Sequence, residues 1–74
     1  MNDKNRVLLL SMIRDAASHL EGKIPPTDEY PKPNSYGYMF KQVKEHFGAS
    51  YKDLSDEHVE RVIEFVGQEL RKFQ

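Results

Sequence analysis

The sequence predicts a small all-α domain of three helices, with a proline-rich loop between the first two. Three observations carry this. Apolar residues recur at helical spacing in three separate stretches, from Leu9, from Tyr36 and from Val59 onward. All four prolines, Pro25, Pro26, Pro31 and Pro33, fall in the gap between the first two stretches. Each stretch is also bracketed by residues that start or stop helices, with Asn, Asp or Ser in front and Gly or basic side chains behind.

Residues about 4–21 form the first expected helix. At 100° per step, Leu9, Met12, Ile13, Ala16, Ala17 and Leu20 share one broad face, with Ser11, Arg14, Asp15 and Ser18 opposite. Asn2 or Asp3 caps its start, and Gly22 suits the left-handed position after its end. Leu8 lies off the main face.

Residues 22–35 form the proline-rich linker, where helix is forbidden and extended backbone favoured. Ile24 and Tyr30 are its two large apolar anchors, so it reads as a strap across the helices. Residues about 36–47 are the second helix, capped by Asn34 or Ser35. Tyr36, Met39, Phe40, Val43 and Phe47 line one face, and Gly48 follows as the left-handed terminator. Gly37 in the first turn suggests a close approach of another helix.

Residues about 56–72 are the third helix. Ser55 is the expected N-cap, Asp56 and Glu57 suit the positive end of the helix dipole, and Leu54 with Val59 forms a hydrophobic staple. Val59, Val62, Ile63, Val66, Leu70 and Phe73 line its buried face. Phe65 falls about 100° away from that stripe and is expected to be exposed.

The 74 residues make one domain, small enough that a partner would add useful stability. Without cysteine there is no disulfide and no thiolate–metal site, which fits a reducing compartment. Eleven basic against twelve acidic side chains leave a net charge of −1, which argues against a mainly electrostatic nucleic-acid binder. The apolar run Val7–Leu10 is too short for a membrane span and lacks the flanks of a signal peptide.

The junction Phe47-Gly48-Ala49, then Ser50-Tyr51-Lys52-Asp53-Leu54, is the most distinctive stretch. It follows an aromatic-containing helix and precedes Val62, Ile63, Phe65 and Val66. In this it resembles the C-terminal module of phage antirepressor proteins and related phage regulators. The likeness is close over residues 36–66 and loose over 7–21. The turn is one residue shorter than the family's usual one, and the linker is longer. The resemblance implies a phage or prophage origin, a bacterial cytoplasmic location and a small helical accessory role. It names no ligand.

Most chemistry-bearing residues have a structural reading. Gly48 permits positive φ, Tyr51 plugs the space between helices and Leu54 staples the last helix. His19, His46 and His58 lack the i, i+3 or i, i+4 spacing of a helical metal site. Glu57, Glu60 and Glu64 form an outer helix face, with Arg61 placed to pair with Glu57. No catalytic, metal or cofactor constellation is visible, so an enzyme is not expected.

Two binding expectations remain. The favoured one is protein contact or self-association through Leu8, Tyr30, Tyr38 and Phe65, apolar residues outside the core stripes. The alternative is weak nucleic-acid binding by Lys41, Lys44 and Lys52 with Tyr51 as a stacking ring. Against the alternative, residues 53–74 carry six acids and three basic residues, and an acidic last helix would be repelled by phosphates. The connection from Gly48 to Ser55 is also longer than a helix-turn-helix turn.

Overall fold

A computed structural model of the chain describes residues 1–29 and 31–73. Three α-helices follow one another: α1 over Asp3–His19, α2 over Ser35–Phe47 and α3 over Val59–Lys72. Two single 3-10 turns, Tyr51–Asp53 and Asp56–His58, lead from α2 into α3. No strand occurs among the described residues, and no helix among them is long and apolar enough to cross a membrane.

Contacts at the helix ends define the topology. Asp56, at the entry to α3, accepts hydrogen bonds from the Asn2 backbone N–H (2.8 Å) and the Asn5 side-chain amide (3.1 Å). The starts of α1 and α3 therefore lie at the same end of the bundle. Phe47, at the end of α2, meets His58 at that same end, with ring centroids 6.2 Å apart. Tyr38, near the start of α2, meets Phe73 at the far end, with centroids 5.7 Å apart. So α2 runs antiparallel to its two neighbours.

The helix starts follow from local chemistry. Asn2 Oδ1 accepts from the Asn5 N–H at 2.8 Å, and Asn34 Oδ1 accepts from Tyr36 N–H at 3.0 Å, each occupying a donor the first turn leaves unpaired. Gly48 stops α2 at φ 77°, where a side chain would be strained. The first helix ends two residues earlier than its periodicity suggests. Leu20 is held in the core and its N–H turns back to the Ala17 carbonyl, so the chain leaves through Gly22 at φ 75°.

The entry to α3 differs from expectation. Residues 56–58 wind as a 3-10 turn, and Ser55 makes no capping bond. Its hydroxyl lies 2.8 Å from His58 Nδ1, which diverts it from the backbone N–H groups. The Glu57–Arg61 pair is not among the ion pairs of the described chain, because Glu57 sits on that 3-10 turn and not at α-helical spacing.

The core is built from Leu9 and Ile13 of α1 with Leu20 just past its end, Met39 and Val43 of α2, and Val62 and Val66 of α3, closed at the junction by Tyr51 and Leu54. Fully burying side chains of this size contributes roughly 1.5–3 kcal/mol each. Two positions reverse the wheel reading of the last helix. Phe65 is only 9% exposed, whereas Ile63 is 40% exposed. Phe65 stacks on the His46 ring at 4.2 Å and meets Phe47 edge-on at 5.7 Å, so the last turn of α2 covers the flank expected to be open. The buried arc of α3 is wide because two helices pack on it, and it is shifted toward α2. Phe40, expected in the core, is half-buried and rests against Tyr51 with ring centroids 5.8 Å apart.

Candidate functional site

The strap does not lie flat on the helices. Between it and the first half of α2 opens a cleft of about 550 Å³, a size suited to a small ligand or the side chains of a bound segment. Ile24, Pro25 and Pro33 form the strap side, Gly37, Tyr38 and Lys41 the α2 side, and Phe73 closes one end. The ring-locked backbone of the prolines keeps this segment out of the helix, and Pro25 and Pro33 line the opening.

Gly37 contributes to the cleft by having no side chain. A Cβ built there would touch only the Asn34 Cβ, at an ordinary 3.9 Å. No helix approaches it closely, contrary to the expectation from its position. Glycine in a helix costs about 0.5–1 kcal/mol relative to alanine, and here the vacated space belongs to the cleft.

Tyr38 forms part of the wall and is fixed in place. Its hydroxyl donates to Glu69 Oε2 at 3.2 Å. Burial, then the Glu69 charge and this hydrogen bond, hold the phenol above its ordinary value of 10.0. Glu69 is 2% exposed, and its second oxygen accepts from Lys72 Nζ at 2.8 Å. The carboxylate is thus paired on both oxygens, as a buried charge requires. Sequence reasoning gave Glu69 no role and missed this. A signal was present: Glu69 falls three residues after Val66 and seven after Val62, in the middle of the apolar stripe of α3.

A second, more open depression of about 440 Å³ lies beyond that bond, lined by His46, Phe65, Glu69 and Lys72. Gln42 borders both spaces, so the Tyr38–Glu69 bond and Gln42 form the divide. Two polar groups of the main cleft are committed to structural bonds: Tyr38 Oη to Glu69, and Asn34 Oδ1 to the first turn of α2. Ile24, Pro25, Pro33 and Phe73 give the cleft its apolar walls, and Thr27, Glu29, Lys41 and Gln42 are among its polar lining.

The sequence-derived residues scatter. Tyr38 lines the cleft and Phe65 is buried beneath His46. Leu8 is exposed on the first half of α1, near the opposite end of the bundle from Tyr38. Tyr30 lies outside the described residues. Of the lysine set, Lys41 and Lys44 stand on α2, and Lys52 on the turn past its far end. Lys41 lies 3.9 Å from Glu45. Tyr51 is buried against Phe40 and cannot offer its ring to a base. Among the described residues, no group of three or more His, Cys, Asp or Glu side chains is arranged to hold a metal ion.

In comparisons with known proteins, no family model, no curated protein and no solved structure matches this chain.

Proposed function

We propose that the chain is a non-catalytic protein-interaction module, a small regulatory or accessory domain that receives an apolar side chain of a partner protein in the strap cleft. The observation that carries this reading is the cleft itself. Its apolar walls come from Ile24, Pro25, Pro33 and Phe73, and its Tyr38 hydroxyl is already engaged. Such a surface rewards shape and burial, as a protein-binding pocket does, and offers no unengaged nucleophile–base pair. The likeness of residues 36–66 to phage regulators supports a regulatory or accessory role in a phage or prophage setting, in the cytoplasm of a bacterial host. Burial of Tyr51 counts against nucleic-acid binding, because it removes the ring that would interleave with Lys41, Lys44 and Lys52.

Selection of a random displayed-peptide library on the immobilised protein tests this. Enriched peptides should share a bulky apolar residue, and their cross-peaks in a two-dimensional amide NMR titration should map to Ile24, Gly37 and Phe73. Enrichment of basic or purely polar peptides, or shifts confined to other faces, would contradict the reading.

A further inference from the structure

Glu69 is a buried carboxylate that lines the second depression, between α2 and α3, of about 440 Å³. Helical spacing builds both walls of that space. Gln42, Glu45 and His46 stand at i, i+3 and i+4 on α2. Phe65, Gln68, Glu69 and Lys72 stand at i, i+3, i+4 and i+7 on α3. The His46 and Phe65 rings, stacked at 4.2 Å, give the depression an apolar side.

The two oxygens of Glu69 are held differently. Oε2 accepts from Tyr38 Oη, and the Tyr38 ring rests edge-on against Phe73. Oε1 accepts from Lys72 Nζ at 2.8 Å. The Lys72 side chain is 62% exposed, against 3% for that of Glu69. Lys72 also belongs to the last turn of α3, where a helix frays at low cost. The carboxylate is therefore fixed from the Tyr38 side and held by an exchangeable cation on the other.

We infer that this depression binds a primary alkylammonium, which takes the place of Lys72 on Glu69. The site already displays the group it accepts: an ammonium on a four-carbon stem, seated on Oε1. When Lys72 turns out to water, an incoming stem lies along the His46 and Phe65 rings and its head reaches the carboxylate. Among the described lining residues, the carboxylates of Glu45 and Glu69 stand against the ammonium of Lys72, a balance that favours a cation over an anion. Glu45 also lies 3.9 Å from Lys41, which makes Glu69 the principal seat. A carboxylate oriented beforehand by Tyr38 suits a charge-assisted bond, because little ordering remains to be done on that side. The same chemistry belongs to a free amine and to a lysine side chain of another protein. This inference is independent of what the strap cleft binds.

A two-dimensional amide NMR titration of the whole chain with n-butylammonium chloride, against sodium chloride at matched ionic strength, tests it. Saturable shifts should gather at His46, Phe65, Gln68 and Glu69, and n-butanol, the uncharged counterpart, should not produce them. Lys72→Ala removes the resident ammonium and leaves the carboxylate. It should bind n-butylammonium at least about tenfold more tightly than the wild type and melt higher in its presence. Glu69→Gln keeps an acceptor for Tyr38 and should abolish the shifts while the helical circular dichroism is kept. The wild-type titration decides by itself if either variant fails to fold. Equal shifts with n-butanol, shifts that never saturate, or equal affinity in Lys72→Ala and the wild type would overturn the inference. Nα-acetyl-lysine amide and the diamine cadaverine then separate the two sources: tighter binding of the first assigns a lysine side chain, tighter binding of the second a free diamine, and each supports the site.

Discussion

The third helix is tied to its neighbours by a carboxylate at each end, and the two ties differ in kind. At its entry, Asp56 accepts from Asn2 and Asn5 of α1 in the open, where water can replace either donor. Near its exit, Glu69 accepts from Tyr38 and Lys72 with almost no exposure. Water cannot easily reach the second carboxylate, so losing the Tyr38 donor there leaves a buried oxygen without a hydrogen bond, while Lys72 still offsets the charge. The exposed tie sets where the helix begins. The buried tie fixes the Tyr38 wall of the cleft, and so joins stability to the proposed function.

The largest effect should follow from breaking the buried tie. Tyr38→Phe keeps the ring against Phe73 and removes one donor from Glu69, at an expected cost of about 1–3 kcal/mol in urea unfolding. A neutral result would mean that water reaches the carboxylate and that the two ties are equivalent. The exposed tie should matter less. Asp56→Ala should lower stability by a smaller margin than Tyr38→Phe, with fraying at both Asn5 and Asp56 visible in amide exchange.

The two ties should also fail at opposite ends of the pH scale. The Asn2 N–H, then the Asn5 amide, hold the Asp56 carboxyl below its ordinary 3.8. Its contribution is present above that value and disappears as pH falls through the lower folded value. Tyr38 is shifted upward by burial and by Glu69, so its contribution is present below 10.0 and is lost as pH rises through the higher folded value. Thermal melts from pH 2 to pH 12 should therefore lose less stability on acidification in Asp56→Ala than in the wild type, with the alkaline limb unaltered. The reverse pattern would exchange the two assignments.

A smaller effect is expected at Ser35, whose buried hydroxyl has no hydrogen-bond partner among the described residues. Ser35→Ala removes that unsatisfied group from the first turn of α2 and should leave the melting temperature unchanged or slightly raised. A clear loss of stability would show that the hydroxyl is satisfied by solvent.

The parts legible in the sequence are those fixed by local chemistry. Asn2 and Asn34 cap, Gly48 terminates, and the stripes of α1 and α2 bury Leu9, Ile13, Met39 and Val43 as their spacing requires. What the sequence hid depends on which helix covers which flank. Phe65 is buried because His46 and Phe47 reach it from α2, and Ile63 is exposed because α1 leaves its flank open. Ser55 had the right residue type for a cap, but a neighbouring imidazole competes for its hydroxyl. The cleft was the least legible feature, since it arises where a stiff strap spans a glycine. Only the coincidence of four prolines with Gly37 hinted at it.

That glycine offers the most direct test of the central claim, that the strap cleft is the binding surface. Gly37→Leu adds a side chain where the backbone tolerates one and directs it into the cleft space. Fluorescence anisotropy with a labelled peptide from the display selection should show affinity lower by about tenfold or more, the loss of a buried apolar contact. The melting temperature should be unchanged or higher, as replacement of a helical glycine implies. Unaltered affinity in a folded Gly37→Leu protein would contradict the account.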